Sequence, residues 1–370
     1  MNTPPDLIGV KSRHLWIDAA KGGGILLVLL AHTNLAPAGL NPHPGNILSY
    51  LHYLMASYMP LFFVLSGYTF KDKTNILQLR ARQLFIPYAI WCIIYFLLFV
   101  TSAICNNQIY PLYWCKLLAG CIYSRIDLIS PYIAQRYPIQ LPGAGPLWFL
   151  TALFVSYALY LPIHRLTGRK KFILIIVYLI LALAFHQCPF LLPWSADTAF
   201  AGALFILCGQ FLKTSGIINS LTIKSILIAL AILPFYVWSV NINGGSGGMY
   251  ERYYGHLGWY APVIFIFMGA SGSYLWCILC QILERCNLVK IFSKIGEHTL
   301  LILCSHMFFY ILVAKCAKQL LNCKPNLHYI EPYIFIIQLT AALAFVFIWD
   351  NIKKRWSTKH RFLTFRVTNG

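Results

Sequence analysis

Long apolar segments separated by short polar joints follow one another along the whole chain. Windows of about 19 residues identify segments long enough to cross a bilayer as helices. They cover residues 22–39, 51–70, 84–104, 147–164, 171–188, 197–213, 222–240, 258–282, 299–319 and 330–350. Glycine and proline mark several joints, as is typical of loops. The pattern therefore predicts an all-α, polytopic membrane protein with about ten transmembrane helices.

The composition supports this interpretation. Hydrophobic residues make up 59% of the chain and charged residues only 11%. A soluble core cannot enclose so many apolar side chains, so the surplus is expected to face lipid. We predict one membrane domain over residues 1–370, with a core at about 12–350 and a short basic tail at 351–370. The only long loop, 105–146, has room for a re-entrant or amphipathic element.

The strong positive charge, +19 in total, needs a separate explanation. In a soluble protein it would suggest a nucleic-acid partner, but here Lys and Arg are spread over alternate loops instead of one surface. With the N-terminus in the cytoplasm, the basic residues favour the cytoplasmic side by about three to one. This predicts two cytoplasmic termini, a lipid bilayer as partner and no nucleic acid. No cleavable signal peptide is expected, although 36–38 resembles a cleavage site.

The cysteine pattern does not indicate a catalytic or metal-binding role. Most of the 12 lie in apolar segments, where they behave as small hydrophobic residues. Cys277 and Cys280 have a metal-ligand spacing, but they lie inside an apolar helix without a partner pair, so we expect no metal site. Cys105, Cys115 and Cys121 fall in the long outer loop, and whether they form a disulfide stays open.

The first predicted span carries ionisable side chains. Lys21 and His32 are eleven positions apart, which places them on one helix face at a distance of roughly 16 Å, and Asp18 shares that face. Such groups are costly in a bilayer unless they are paired or line a wet cavity. A neutral His32 would serve as a general base toward a hydroxyl, and Lys21 would hold an anion. A histidine bonded across helices and a lysine that anchors topology explain the pattern equally well.

Three further features allow two interpretations each. Arg80 and Arg82, near a predicted helix start, would bind phosphates or simply mark the cytoplasmic side. His306, inside the ninth span, is either catalytic support or a packing residue. The glycines at 22–24 allow close approach of another helix or of a ligand.

Together these segments resemble the integral-membrane acyltransferase 3 family, which includes bacterial enzymes that O-acetylate surface sugars. The resemblance covers about residues 12–350. It rests on Asp18-Ala-Ala-Lys-Gly22 through His32, Met59-Pro-Leu-Phe-Phe63 with Leu65-Ser-Gly-Tyr68, Arg82 through Pro87-Tyr88, Leu147-Trp-Phe-Leu150, and Ile295-Gly-Glu-His-Thr-Leu300 through His306. The order and spacing of these blocks are more specific than any one of them.

The resemblance implies that an acyl group, usually acetyl, passes from cytoplasmic acetyl-CoA or another acyl-CoA to a hydroxyl of a carbohydrate or glycolipid acceptor. It also implies a location in the bacterial cytoplasmic membrane. His32 matches the family histidine and is the candidate base, while Lys21 stands where arginine is common. Arg80 and Arg82 match a basic cluster that contacts CoA phosphates. Tyr58 stands where many relatives carry histidine, so the role of that histidine cannot be carried over.

The predicted site therefore has two parts. The candidate catalytic residues are His32, Asp18 and His306, the candidate CoA-binding residues are Lys21, Arg80 and Arg82, and no metal is expected. The alternative hypothesis is a transporter or flippase in which the buried histidines relay protons. The sequence contains no detectable inverted repeat of the kind that many transporters have.

Overall fold

The computed structural model describes residues 14–32, 51–105, 111–129, 141, 145–245, 248–250, 254–323 and 330–367. The first half of the chain forms α1 (Leu15–His32), α2 (Leu51–Met55), α3 (Tyr58–Tyr68), α4 (Ile76–Cys105), α5 (Pro111–Tyr123) and α6 (Trp148–Arg165). The second half forms α7 (Gly168–Gln187), α8 (Ala199–Thr214), α9 (Ile223–Ile242), α10 (Ala261–Arg285), α11 (Lys290–Glu297), α12 (Thr299–Cys323) and α13 (Ile330–Val367). Within these residues there is no strand, and β-bridges are isolated, as between Ile129 and Phe190.

Among the described residues, seven helices are long and apolar enough to cross a membrane, namely α1, α4, α6, α8, α9, α10 and part of α13. Helices α11 and α12 meet at an angle of 79° and together form an eighth candidate span. The prediction of an all-helical, multi-pass membrane protein is confirmed. Helix α5 lies in the long loop, where the sequence left room for such an element.

Two helices begin well before their predicted spans. Helix α1 begins at Leu15, two turns before the predicted start, because its polar first turns pack inside the protein, where Trp16 and Asp18 are buried. Helix α4 likewise begins at Ile76, so Arg80 and Arg82 belong to its first turns. A hydropathy window detects only the part of a helix that is apolar all round, which explains both errors. The predicted residues 33–39 lie outside the described residues.

The second predicted span, 51–70, is two helices. The break lies at Ala56–Ser57, one turn before Pro60. Proline has no backbone N–H, so Pro60 leaves the carbonyl of residue 56 without its helical partner, and the helix restarts at Tyr58. At the other end of the chain, α13 runs past residue 350 to Val367, so most of the predicted tail is helical.

Glycines set the closest helix contacts. A Cβ atom on Gly22 of α1 would collide with the carbonyl of Phe292, and one on Gly296 of α11 would collide with the carbonyl of Asp18. The backbones of α1 and α11 therefore touch at this crossing. Gly67 of α3 and Gly209 of α8 form a second crossing of the same kind. Close helix approach thus accounts for Gly22.

Gly24, two positions along α1, is a control for the close helix contact at Gly22. A Cβ atom there would lie 3.0 Å from the ring of Phe62, a side chain that can shift, whereas at Gly22 it would meet fixed backbone. We expect Gly22→Ala to destabilise the protein by about 1–3 kcal/mol, as overpacking does, and Gly24→Ala to cost less. Thermal unfolding in detergent measures both. Equal stability of the two variants would contradict the close crossing.

Candidate active site

Two cavities lie side by side within the bundle. The first, the histidine cavity, has a volume of about 250 Å³ and is lined by Val28, His32, Tyr58, Trp148, Tyr250 and Met307, among others. The second, the cation cavity, has a volume of about 480 Å³ and is lined by Lys21, Ser66, Arg80, Leu153, Tyr157 and Glu297, among others. Phe149 and Leu303 line both cavities. Helices α1, α3, α6 and α12 contribute to each of them.

His32 is the last residue of α1 and is half-buried in the wall of the histidine cavity. Its Nδ1 lies 2.8 Å from the carbonyl oxygen of Val28, one turn earlier. In the neutral ring, this carbonyl accepts a hydrogen bond from Nδ1–H, which leaves the lone pair on Nε2. His32 is therefore arranged as a proton acceptor.

His306 lies directly behind His32. Its side chain is fully buried, and the two ring centroids are 5.0 Å apart in an edge-to-face arrangement with an interplanar angle of 73°. Nδ1 of His306 lies 2.7 Å from the carbonyl oxygen of Leu303, while its Nε2 has no hydrogen-bond partner among the described residues. Because His306 does not line the cavity, it acts on the cavity through the residues it contacts, chiefly His32.

Aromatic rings form much of the remaining wall. The rings of Trp148 and Tyr250 lie 5.4 Å apart, and the Tyr250 hydroxyl accepts a hydrogen bond of 2.6 Å from the backbone N–H of Ile126. Burial raises the pKa of Tyr250 to about 12, so its hydroxyl stays neutral at physiological pH. Tyr58 also lines this cavity.

A buried ion pair holds this wall in place. Arg125 and Asp197 are both fully buried and form a salt bridge. Arg125 also donates to the carbonyl of Tyr250, and to that of Leu192 at 3.3 Å. The hydropathy pattern places Arg125 in a solvated loop, and only the fold reveals its partner, which is distant in sequence. The pair anchors the segment that carries Tyr250 against the histidine cavity.

The cation cavity presents two basic side chains. Lys21 Nζ lies 3.4 Å from Asp18 Oδ1. The Arg80 guanidinium lies 4.5 Å from the ring centroid of Tyr157 and donates to Gln83 Oε1 at 3.1 Å. Arg80 Nε is buried and has no partner among the described residues. The Lys21 ammonium and the spare Arg80 Nε–H can bind an anionic ligand, and the carboxylate of Glu297 lines the same cavity.

The two remaining predicted site residues, Arg82 and Asp18, line neither cavity. Arg82 is exposed, although it is only two positions from Arg80. Asp18 lies about 21 Å along α1 from His32 and pairs with Lys21 instead. The fold thus brings His32 together with His306, and Lys21 together with Arg80. Asp18 belongs to the lysine side of the site.

The chain was compared with known proteins. A family model described as an acyltransferase domain matches residues 14–349, nearly the whole chain. The chain belongs to this acyltransferase family. No curated protein and no solved structure gives a significant match. The family resemblance of the sequence blocks is confirmed, and both cavities of this membrane acyltransferase lie within the matched range.

Residue patterns alone did not single out several side chains of the candidate site, among them Phe149 and Leu303. Phe149 falls in one of the blocks that carry the resemblance, so that block was a signal, whereas nothing in the sequence distinguishes Leu303 except its place one turn before His306. The thiols of Cys105, Cys115 and Cys121 are free in the structure.

Proposed function

We propose that this acyltransferase moves an acyl group, most simply acetyl, from cytoplasmic acyl-CoA to a hydroxyl of a cell-surface or lipid-linked carbohydrate. The observation that carries the proposal is the pair of adjoining cavities. One offers cations for the phosphates of a CoA donor, and the other offers a histidine with a lone pair for a hydroxyl acceptor. Because both cavities extend to Phe149 and Leu303, the donor thioester and the acceptor hydroxyl can meet beside His32.

The reaction needs one proton acceptor at the junction. His32 Nε2 takes the proton of the acceptor hydroxyl as its oxygen attacks the thioester carbonyl carbon. A new C–O bond forms, the C–S bond breaks, and the proton then passes from His32 to the departing CoA sulfur. The products are an O-acyl carbohydrate and free CoA. His306 positions the His32 ring through their edge contact.

The other predicted residues serve the donor. Lys21 and Arg80 bind phosphate groups of CoA, and Asp18 orients Lys21 through the ion pair between them. Arg82, on the exposed side of α4, contributes only long-range attraction for the polyanionic donor. Donor binding thus rests mainly on Lys21 and Arg80.

The ten-span topology completes the proposal. The apolar pair α2–α3 and helix α7 add to the eight candidate spans, and α7 exposes apolar side chains such as Phe172, Ile173 and Ile176. Exposed apolar side chains on a long helix suit a lipid environment. With the basic loops inside, both termini are cytoplasmic. The cation cavity then opens toward the cytoplasm of a bacterial cell, where CoA is made.

An assay with radiolabelled acetyl-CoA tests the function. Purified protein is incubated with the donor, with and without bacterial surface glycans, and the products are separated by chromatography. We expect label on the glycan and release of free CoA in equal amounts. If intact donor or glycan crosses proteoliposome membranes without acyl transfer, the protein is a transporter and the proposal fails.

A further inference from the structure

Phe149 and Leu303 occupy a special position in the site. Among the described residues, they are the two that line both the histidine cavity and the cation cavity. Phe149 comes from the first turn of α6, and Leu303 from α12, one turn before His306. They therefore mark the junction between the two cavities.

Both side chains are firmly packed. Phe149 is 7% exposed, and its ring meets the rings of Phe62 and Phe63 edge-on at centroid distances of 5.8 and 5.3 Å. Leu303 is 5% exposed, and its carbonyl bonds to His306. A junction made of two packed apolar side chains has a defined width, because such interiors yield little to a larger group.

The position of this junction has a consequence for the donor. If CoA phosphates bind near Lys21 and Arg80 and the thioester reacts beside His32, the acyl end of the donor must pass between Phe149 and Leu303. We propose that these two side chains form a size-selecting passage, which admits a short unbranched acyl group and excludes branched ones. The inference rests on the proposed function and assigns the acyl specificity that the function leaves open.

If acyl groups are instead selected by size inside one of the two cavities, residues that line only that cavity decide the preference. The chain offers one such control residue for each cavity. Met307 lines the histidine cavity but not the cation cavity. Leu153 lines the cation cavity but not the histidine cavity, and at 8% exposed it is about as buried as Leu303. Truncation of either enlarges one cavity without widening the junction.

The experiment compares donor preference among these variants. For wild type, Leu303→Ala, Phe149→Leu, Met307→Ala and Leu153→Ala, kcat/KM is measured with acetyl-CoA and with isobutyryl-CoA. We expect Leu303→Ala and Phe149→Leu to raise the isobutyryl-to-acetyl ratio about tenfold or more, the usual effect of one or more methyl groups in a fitted apolar site. Met307→Ala and Leu153→Ala should stay within about threefold of wild type.

A larger side chain at position 303 should narrow the passage and have the opposite effect on acyl transfer. Leu303→Trp should reduce acetyl transfer about tenfold or more. Inhibition by adenosine 3′,5′-bisphosphate, which carries phosphate groups like those of CoA but has no pantetheine arm, should stay within about threefold of wild type. Size-exclusion chromatography in detergent verifies that each variant is folded. Acetyl transfer at the wild-type rate in Leu303→Trp would overturn the passage, because the acyl group would then reach His32 without passing between Phe149 and Leu303.

Failure of the size-selecting passage can be distinguished from failure of the proposed function. If wild type transfers acyl groups but the Leu303 and Phe149 variants keep its preference, or if Met307→Ala changes that preference instead, the passage is wrong and the proposed function stands. If wild type transfers no acyl group from any acyl-CoA, the proposed function fails and the passage fails with it.

Discussion

Replacement of His32 by glutamine is expected to abolish acyl transfer and leave the protein folded. Glutamine is close to histidine in size and polar, but it cannot accept a proton at neutral pH. Removal of a general base costs about 10²–10⁴-fold in rate, so kcat should fall by at least that lower figure. Binding of CoA should not change, because His32 lines the histidine cavity and not the cation cavity.

The choice of glutamine separates catalysis from packing. If His32 were only a polar packing residue that bonds to Val28, glutamine would keep much of the activity, and alanine would lower stability and activity together. His164 provides a matched control, since it pairs with Asp72 at 3.4 Å and lines neither cavity. His164→Gln should retain nearly full activity. Full activity in His32→Gln would rule out the base mechanism.

Replacement of Arg80 by glutamine is expected to raise the KM for acetyl-CoA by about 10–100-fold, because hydrogen bonds to charged groups contribute about 1.5–3 kcal/mol. Arg82→Gln removes the same charge from the same helix, but Arg82 is exposed and outside both cavities. Its KM should change by no more than about threefold at physiological salt, where exposed charges are screened. Steady-state kinetics with acetyl-CoA as the varied substrate measures both values.

Acyl transfer from a donor without phosphate groups is the control for the Arg80→Gln prediction. S-acetylpantetheine carries the same thioester but no phosphate groups, so Arg80→Gln should use it as well as wild type does. A parallel loss with both donors would mean that Arg80 maintains the fold, for example through its contact with Tyr157, and does not bind phosphate. Equal effects of Arg80→Gln and Arg82→Gln would show that only net charge matters.

The sequence alone was sufficient for the class of fold. Apolar segments of membrane length and basic residues in alternate loops predict a multi-pass helical protein, because every backbone polar group in lipid must be bonded within its own helix. The sequence blocks also led correctly to the acyltransferase family. Helical periodicity placed Lys21 and His32 on one face of α1, and the structure puts each of them in one of the two adjoining cavities.

Only the tertiary structure distinguished residues that look alike in sequence. It placed Arg80 in a cavity and left Arg82 exposed, and it paired Arg125 with Asp197, which lies on a distant segment. The physical reason is that periodicity and hydropathy describe one helix at a time. A contact between helices depends on how closely and at what angle they cross, which the glycine contacts of α1 with α11 and of α3 with α8 decide.

The same distinction applies to His32. The sequence determined that an ionisable ring lies near the end of an apolar helix, which is costly and therefore calls for a partner or a cavity. The tertiary structure supplied both, since α12 brings His306 to within 5.0 Å of His32, and α3 and α6 enclose the cavity in front of it. Such an arrangement joins side chains from four helices, and no local pattern in the chain encodes it.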